Sequence, residues 1–246
     1  MGLELRQVSK RYSNGAVGAR DVDLTVNAGE FVALFGPSGS GKTSQLHMLG
    51  LLQHPDSGEV WIDGQRVDDL SEGDVAKIRR TRLGFVFQSA SLIRLISARE
   101  NVDVSMRLNG IRGRDARSKV EAALALVGMS ERMNHRPDEM SGGEQQRVSI
   151  ARALVHEPEY LLADEPTGEL DTTTGTGILT MLREIADSGT TVVMATHDPK
   201  AIGFVDTAYF VESGELHLPR RDELALWLTE GTAFETGIID REHPNR

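Results

Sequence analysis

The sequence predicts an α/β protein built on a mainly parallel sheet, and three observations carry that expectation. Short apolar segments alternate with a helical one in the second half. Tyr160–Ala163 reads as a strand, Ile178, Leu179, Leu182 and Ile185 share one helical face, and Thr191–Ala195 reads as another strand. Phe31–Phe35 is apolar without interruption, as strands buried on both faces are. Between that run and a helix expected over Thr43–Leu52 lies Gly36-Pro37-Ser38-Gly39-Ser40-Gly41-Lys42-Thr43, a glycine-rich loop in a strand–loop–helix setting.

The remaining elements follow in chain order. Leu3–Tyr12 alternates in part like a strand, and Val22, Leu24 and Val26 recur at the strand period of two. Val60-Trp61-Ile62 runs into Asp63-Gly64, a hairpin turn pair. Lys77, Arg79, Arg80 and Arg82 read as a solvated helix face, and Leu83–Phe87 as a further apolar strand ending at Gln88. From Ser97 to Leu154 the chain is expected to be mainly helical, with Val120, Leu124 and Val127 at helical spacing. Ser141-Gly142-Gly143-Glu144 spells a capping box ahead of a helix expected over Gln145–Val155. Leu224, Leu226, Trp227 and Leu228 suggest a short amphipathic helix, and Thr232–Arg246 is expected to fray.

Composition narrows the function classes. There are 27 basic against 37 acidic residues, a formal net charge of −10, which argues against a general nucleic-acid binder. With no cysteine, disulfides and thiolate zinc sites are excluded. No apolar run approaches the roughly 18 residues that a membrane-spanning helix needs. Met1–Arg6 does not read as a secretory leader, so a cytoplasmic setting is expected.

The chemistry-bearing residues cluster at expected strand ends. Backbone N–H groups of the Gly36–Thr43 loop can converge on phosphate oxygens at a helix N-terminus. Lys42 can reach the β- and γ-phosphates, and the Thr43 hydroxyl can hold Mg2+. Asp164-Glu165 closes the Tyr160–Ala163 strand, where open α/β sheets bind ligands. One carboxylate there suits Mg2+, and the other can orient or deprotonate an attacking water. His197 follows the next strand and can hydrogen-bond near a γ-phosphate. Gln88 offers an amide to Mg2+ or to the attacking water. Ser141–Gly143 at a helix start is both a cap and a second anion site. Tyr12 either stacks on a base or joins the core. The other six histidines read as surface or structural.

Taken in order, Tyr12, Gly36–Thr43, Gln88, Met140–Glu144, Asp164-Glu165, Asp171 and His197 resemble the A-loop, Walker A, Q-loop, signature, Walker B, D-loop and switch histidine of ATP-binding cassette (ABC) transporter subunits. The likeness spans about residues 1–218. Gly84–Gln88, Leu161–Gly168 and Ala195–Pro199 resemble the MacB/LolD/FtsE-type ATPases. The resemblance implies a P-loop NTPase cassette: a mainly parallel core sheet, an antiparallel β subdomain and a helical subdomain inserted over about residues 97–152, followed by a tail over 219–246. It implies ATP and Mg2+. ATP would be held by Tyr12, Gly36, Pro37, Ser38, Gly39, Ser40, Gly41, Lys42 and Thr43, and by Ser141, Gly142 and Gly143 of the facing chain. Thr43, Gln88 and Asp164 would hold Mg2+, while Glu165, His197 and Gln88 would act in catalysis.

It implies two kinds of partner as well. One is a second copy or a paralogue, because each ATP in the family is sandwiched between one chain's Walker A and the other's signature. The other is an integral membrane permease, which places the chain on the inner face of the cell membrane and couples it to export, lipoprotein release or mechanotransmission. Control of a cell-wall or division complex without transport, and a soluble non-transport role, stay open. Three departures stand out: Met140 in place of leucine, Glu144 in place of glutamine, and Ser89–Ser97 with neither aromatic nor proline. In that last stretch Leu92, Ile93, Leu95 and Ile96 crowd together. A helix cannot bury four of five consecutive positions on one stripe of about 100°. Part of this surface is therefore expected to be exposed and to dock a short cytoplasmic helix of the permease.

Overall fold

The computed structural model describes residues 1–219, so the helix expected around Leu224–Leu228 and the fraying stretch Thr232–Arg246 lie outside the described residues. The N-terminal strands pair antiparallel. β1 (Gly2–Arg11) lies between β2 (Val17–Asn27) and β4 (Ser57–Ile62), and β4 turns into β5 (Gln65–Arg66). That turn is Asp63-Gly64 with φ of 51° and 77°, the paired positive values that a two-residue hairpin needs.

The second sheet is parallel except at one edge. Its order is β10 (Glu215–His217), β9 (Thr207–Glu212), β3 (Phe31–Phe35), β8 (Thr191–Thr196), β7 (Tyr160–Asp164) and β6 (Leu83–Val86). Only β10 runs antiparallel to its neighbour. Six α-helices and three short 3-10 turns complete the described residues, the α-helices being α1 (Lys42–Leu49), α2 (Glu72–Arg82), α3 (Ala98–Leu108), α4 (Gly113–Leu126), α5 (Gly142–Leu154) and α6 (Thr172–Asp187).

Side-chain alternation along the buried strands creates a core on each face. Phe31, Ala33 and Phe35 point with Leu161, Ala163, Val192 and Met194 into the helical layer of α3 to α6. Val32 and Leu34 point with Leu162, Val193 and Ala195 toward Leu46 and Leu49 of α1 and toward Leu3, Leu5 and Leu24 of the antiparallel sheet. The apolar face expected for α6 is buried at Ile178, Leu179, Leu182 and Ile185.

Local boundaries differ from the expectation for local reasons. α1 stops at Leu49, because Gly50 caps it and Leu51 takes φ 57°, which no helix continues through. α5 starts at Gly142, directly after its Ser141 cap. The basic cluster on α2 is only half solvated. Arg79 donates to the Leu51 carbonyl at 2.6 Å, and Arg82 pairs with Asp63 and Glu159, tying the hairpin turn to the edge of the parallel sheet.

Candidate active site

Register decides which residues meet. Phe35 lies opposite Thr196, Asp164 opposite Ala195 and Val86 opposite Ala163, so four neighbouring parallel strands end almost level. Gly36, His197 and Glu165, which follow them directly, and Gln88, one residue further on, therefore share one rim, where open sheets bind ligands.

The Gly36–Thr43 loop occupies that rim at the end of β3. α2, α3, α5 and α6 carry side-chain caps from Ser71, Ser97, Ser141 and Asp171, whereas α1 is entered from Gly41 with no side-chain cap and no acidic residue in its first turn. Its first amides thus lack a side-chain acceptor and carry partial positive charge. The buried Ser40 Oγ has no hydrogen-bond partner. Both features fit a phosphate group. Lys42, almost fully buried, donates from Nζ to the carbonyls of Gly36 at 2.7 Å and Pro37 at 3.0 Å.

Two carboxylates face this loop and are treated differently. Thr43 Oγ1 donates to Asp164 Oδ1 at 2.9 Å. Burial pushes the Asp164 carboxyl up, against the Thr43 hydrogen bond and nearby His47. A hydroxyl and a carboxylate held together form the hard oxygen set that Mg2+ takes, so the residues fit that ion. Glu165 adopts φ 47°, a left-handed backbone that costs about 1–2 kcal/mol for a residue with a side chain. Its N–H donates to the Ala195 carbonyl at 2.8 Å. Its Oε1 lies 3.6 Å from Lys42 Nζ, and its Oε2 takes a 2.8 Å hydrogen bond from His197 Nδ1. An ionised carboxylate only accepts, so Nδ1 carries the proton in this pair.

Gln88 is exposed, and its Nε2 lies 3.4 Å from where a Cβ on Gly168 would stand, beside the Glu165 loop. Tyr12 sits beside the start of α1, its hydroxyl 2.8 Å from both Ser44 Oγ and Gln53 Oε1. Its ring is half-buried. One neighbour of Asp164 escaped the sequence reading. His47, one turn past Thr43 on α1, places Nε2 3.7 Å from Asp164 Oδ2, rather than serving as a bystander. The i, i+4 spacing from Thr43 is the signal that puts it on the same face.

Ser141, Gly142 and Gly143 stand apart from this group. Among the described residues no hydrogen bond or ion pair joins them to the 36–43 loop. The capping box is complete: Ser141 Oγ accepts from Glu144 N at 3.2 Å, and Glu144 Oε2 accepts from Ser141 N at 2.8 Å. That backbone hydrogen bond holds the Glu144 carboxyl below the usual range, and Arg132 Nε lies 3.4 Å from its other oxygen. The charge introduced by Glu144 is thus turned back onto its own helix end and partly offset.

Residues 92–96 form an irregular turn rather than a helix. Ile93 and Leu95 point outward, Leu95 with 81% of its surface exposed, while Leu92 and Ile96 are half-buried. Two side chains that the sequence reading missed hold the turn. Buried Asn101 donates to the carbonyls of Ile93, Ile96 and Ser97 and accepts from Ile93 N. Arg152 donates to the carbonyls of Ser91 and Ala90 at 2.8 and 2.9 Å. Gln146, buried on α5, donates to the Phe87 carbonyl just before Gln88. No described helix is long and apolar enough to cross a membrane.

Comparison with known proteins agrees with this geometry. The family model described as "ABC transporter" matches residues 19–168. An uncharacterized ABC transporter ATP-binding protein, YvrO of Bacillus subtilis (strain 168), is 39% identical over 226 residues, 91% of this chain and 99% of its own length. The macrolide export ATP-binding/permease protein MacB of Hyphomonas neptunium is 40% identical over 217 residues, 87% of this chain but 34% of that longer protein. Among solved structures, the dimeric post-hydrolysis state of the ATP-binding cassette MJ0796 of Methanocaldococcus jannaschii, bound to ADP and Pi, superposes with a TM-score of 0.81 at 38% identity. That match covers 90% of this chain and 98% of MJ0796.

Proposed function

We propose a role that starts from what is established: this chain belongs to the ABC transporter family, as an ATP-binding cassette and an ATPase that uses ATP and Mg2+. In our reading, the Gly36–Gly41 backbone and Lys42 hold the phosphates. Tyr12 borders the base, and Ser141, Gly142 and Gly143 close on the ATP of a second cassette. Thr43, Asp164 and Gln88 would hold Mg2+, which when bound neutralises charge on the phosphates. Glu165 accepts the proton of the attacking water. His197 orients Glu165 through the Nδ1 hydrogen bond and reaches the γ-phosphate side of the site. Residues 1–218 act as one cassette with its helical part near residues 97–152.

The observation that supports this most is the grouping of Lys42, Glu165 and His197 at adjacent strand ends, with one Glu165 oxygen 2.8 Å from His197 and the other 3.6 Å from Lys42. Phosphoryl transfer rests on positioning and charge, which such a grouping supplies. The dimeric relative MJ0796 and the permease-fused relative MacB support assembly of this chain with a second copy or paralogue and with a membrane permease, at the inner face of the membrane. Ile93 and Leu95 are the surface on which we place the permease contact.

The test separates binding from chemistry. Glu165→Gln retains ATP binding and loses most turnover, whereas Lys42→Ala loses binding. Equal ATP affinity in the two variants, or near-normal hydrolysis by Glu165→Gln, refutes these roles.

A further inference from the structure

The loop after Glu165 runs on into the start of α6, and that helix start touches the start of α5. Asp171 caps α6: its Oδ1 accepts from Thr173 N at 3.0 Å and Thr174 N at 3.1 Å. Its Oδ2 accepts from Thr174 Oγ1 at 2.6 Å. The hydroxyl arm of Thr174 is thereby committed to the Asp171 turn. The methyl arm points the other way, onto the glycines that open α5. A Cβ on Gly143 would lie 2.3 Å from Thr174 Cγ2, so no larger residue fits there without displacing Thr174. A Cβ on Gly142 would come within 3.6 Å of Leu170 Cδ2. A β-branched side chain in a helix has few rotamers, so fixing the hydroxyl also fixes the methyl.

We propose that Thr174 is a positioning residue that registers the Ser141–Gly143 turn on the Asp171 turn, through a hydroxyl bonded to Asp171 and a methyl packed on Gly143. The consequence is a mechanical link within one chain. Its catalytic loop, residues 164–170, sets where its own Ser141–Gly143 turn stands, and that turn completes the ATP site of the other cassette. This rests on the reading that Ser141–Gly143 act on the second cassette's ATP, and the experiment tests the two separately. Among the described residues no hydrogen bond joins Thr174 to the Gly36–Thr43 loop, so the link leaves a chain's binding of its own nucleotide unchanged.

The test uses the full chain in the Glu165→Gln background, with ATP driving dimer formation followed by light scattering. Thr174→Ser keeps the hydroxyl and removes the methyl. It raises the dimer dissociation constant about tenfold and leaves ATP binding by the isolated chain unchanged. Ser141→Ala also weakens the dimer, and Thr174→Ser added to it costs less than about twofold more, because both act through one turn. A merely structural threonine would lower the unfolding midpoint and give additive effects in this cycle. If Ser141→Ala weakens the dimer while Thr174→Ser does not, or if the two effects add, the role assigned to Thr174 is wrong. If Ser141→Ala leaves the dimer untouched, the reading of Ser141–Gly143 falls, and the role of Thr174 with it.

Discussion

Asn101→Ala should open the outward turn at residues 92–96 without dismantling the fold. The side chain is 1% exposed, and its amide serves Ile93 in both directions: Oδ1 accepts from Ile93 N at 2.7 Å, and Nδ2 donates to Ile93 O at 3.1 Å. The same nitrogen reaches Ile96 O at 3.2 Å and Ser97 O at 3.0 Å. One bond accepted and two amide hydrogens shared among three carbonyls make three hydrogen bonds, which at about 0.5–1 kcal/mol net each come to about 2 kcal/mol for the turn. Arg152 still clasps residues 90 and 91 from the other side, so the effect stays local. The turn carries its own reporter, since Arg94 is an exposed tryptic site next to Leu95. Cleavage of a briefly opened segment tracks its opening equilibrium, so about 2 kcal/mol predicts nicking after Arg94 about thirtyfold faster. A trypsin time course read by fragment mass, beside a urea titration, measures both quantities. Unchanged cleavage at Arg94 with a lowered urea midpoint would show that Asn101 supports the core and not the turn, and would refute the reasoning.

Three further outcomes follow from the geometry. Glu144→Gln keeps the capping box and leaves ATP-driven dimerisation within about twofold, whereas Arg132→Ala, which leaves the Glu144 carboxylate uncompensated at an anion-receiving helix end, weakens it by about two- to fivefold. The double variant recovers the loss, as light scattering will show. Asp164 has its folded pKa raised by burial above the ordinary 3.8, so its contribution to stability is present below that value and fades as pH rises through the folded pKa. Asp164→Asn should therefore raise the urea midpoint at pH 7, with a smaller gain near pH 4, while abolishing Mg2+-dependent hydrolysis; no gain at pH 7 would contradict the assignment of that shift. Leu95→Asp should leave ATP binding and basal turnover intact and remove stimulation by the membrane partner, and co-purification with that partner checks it.

Much of the site was legible because its chemistry is local. An uninterrupted apolar run followed by glycines, or by Asp-Glu, announces a strand end, and parallel strands place their ends together. The antiparallel hairpin at Asp63-Gly64 was equally plain from two residues. What sequence could not supply were distances between segments. His47 reads as an ordinary helix histidine until β7 brings Asp164 to 3.7 Å. Asn101 and Arg152 look like surface residues of helices, since nothing local says that they satisfy carbonyls of the turn before α3. The crowd of apolar residues at 92–96 gave correct warning of exposure, yet which of them face outward depends on those two clasps. The helical boundary at Gly50 was missed because Leu51 takes a left-handed conformation that its side chain does not advertise.

The strand order has a consequence for the birth of the protein. The strand that leads into the Gly36–Thr43 loop, β3, ends at residue 35, yet its two neighbours are β8 and β9, which begin at residues 191 and 207. A ribosome must deliver more than three quarters of the chain before β3 gains either ladder partner. Until then both edges of β3 and the facing edge of β7 stand open to mispairing with other nascent chains. Insertion of β8 between them closes the two facing edges in one event and brings His197 to Glu165, while the far edge of β3 waits for β9. The central seam of the sheet and the rim that carries the candidate site therefore form together. A truncated or stalled product holds the glycine loop in sequence but has no rim on which to use it. Nucleotide that binds only the completed rim will also draw late intermediates toward the finished sheet by mass action.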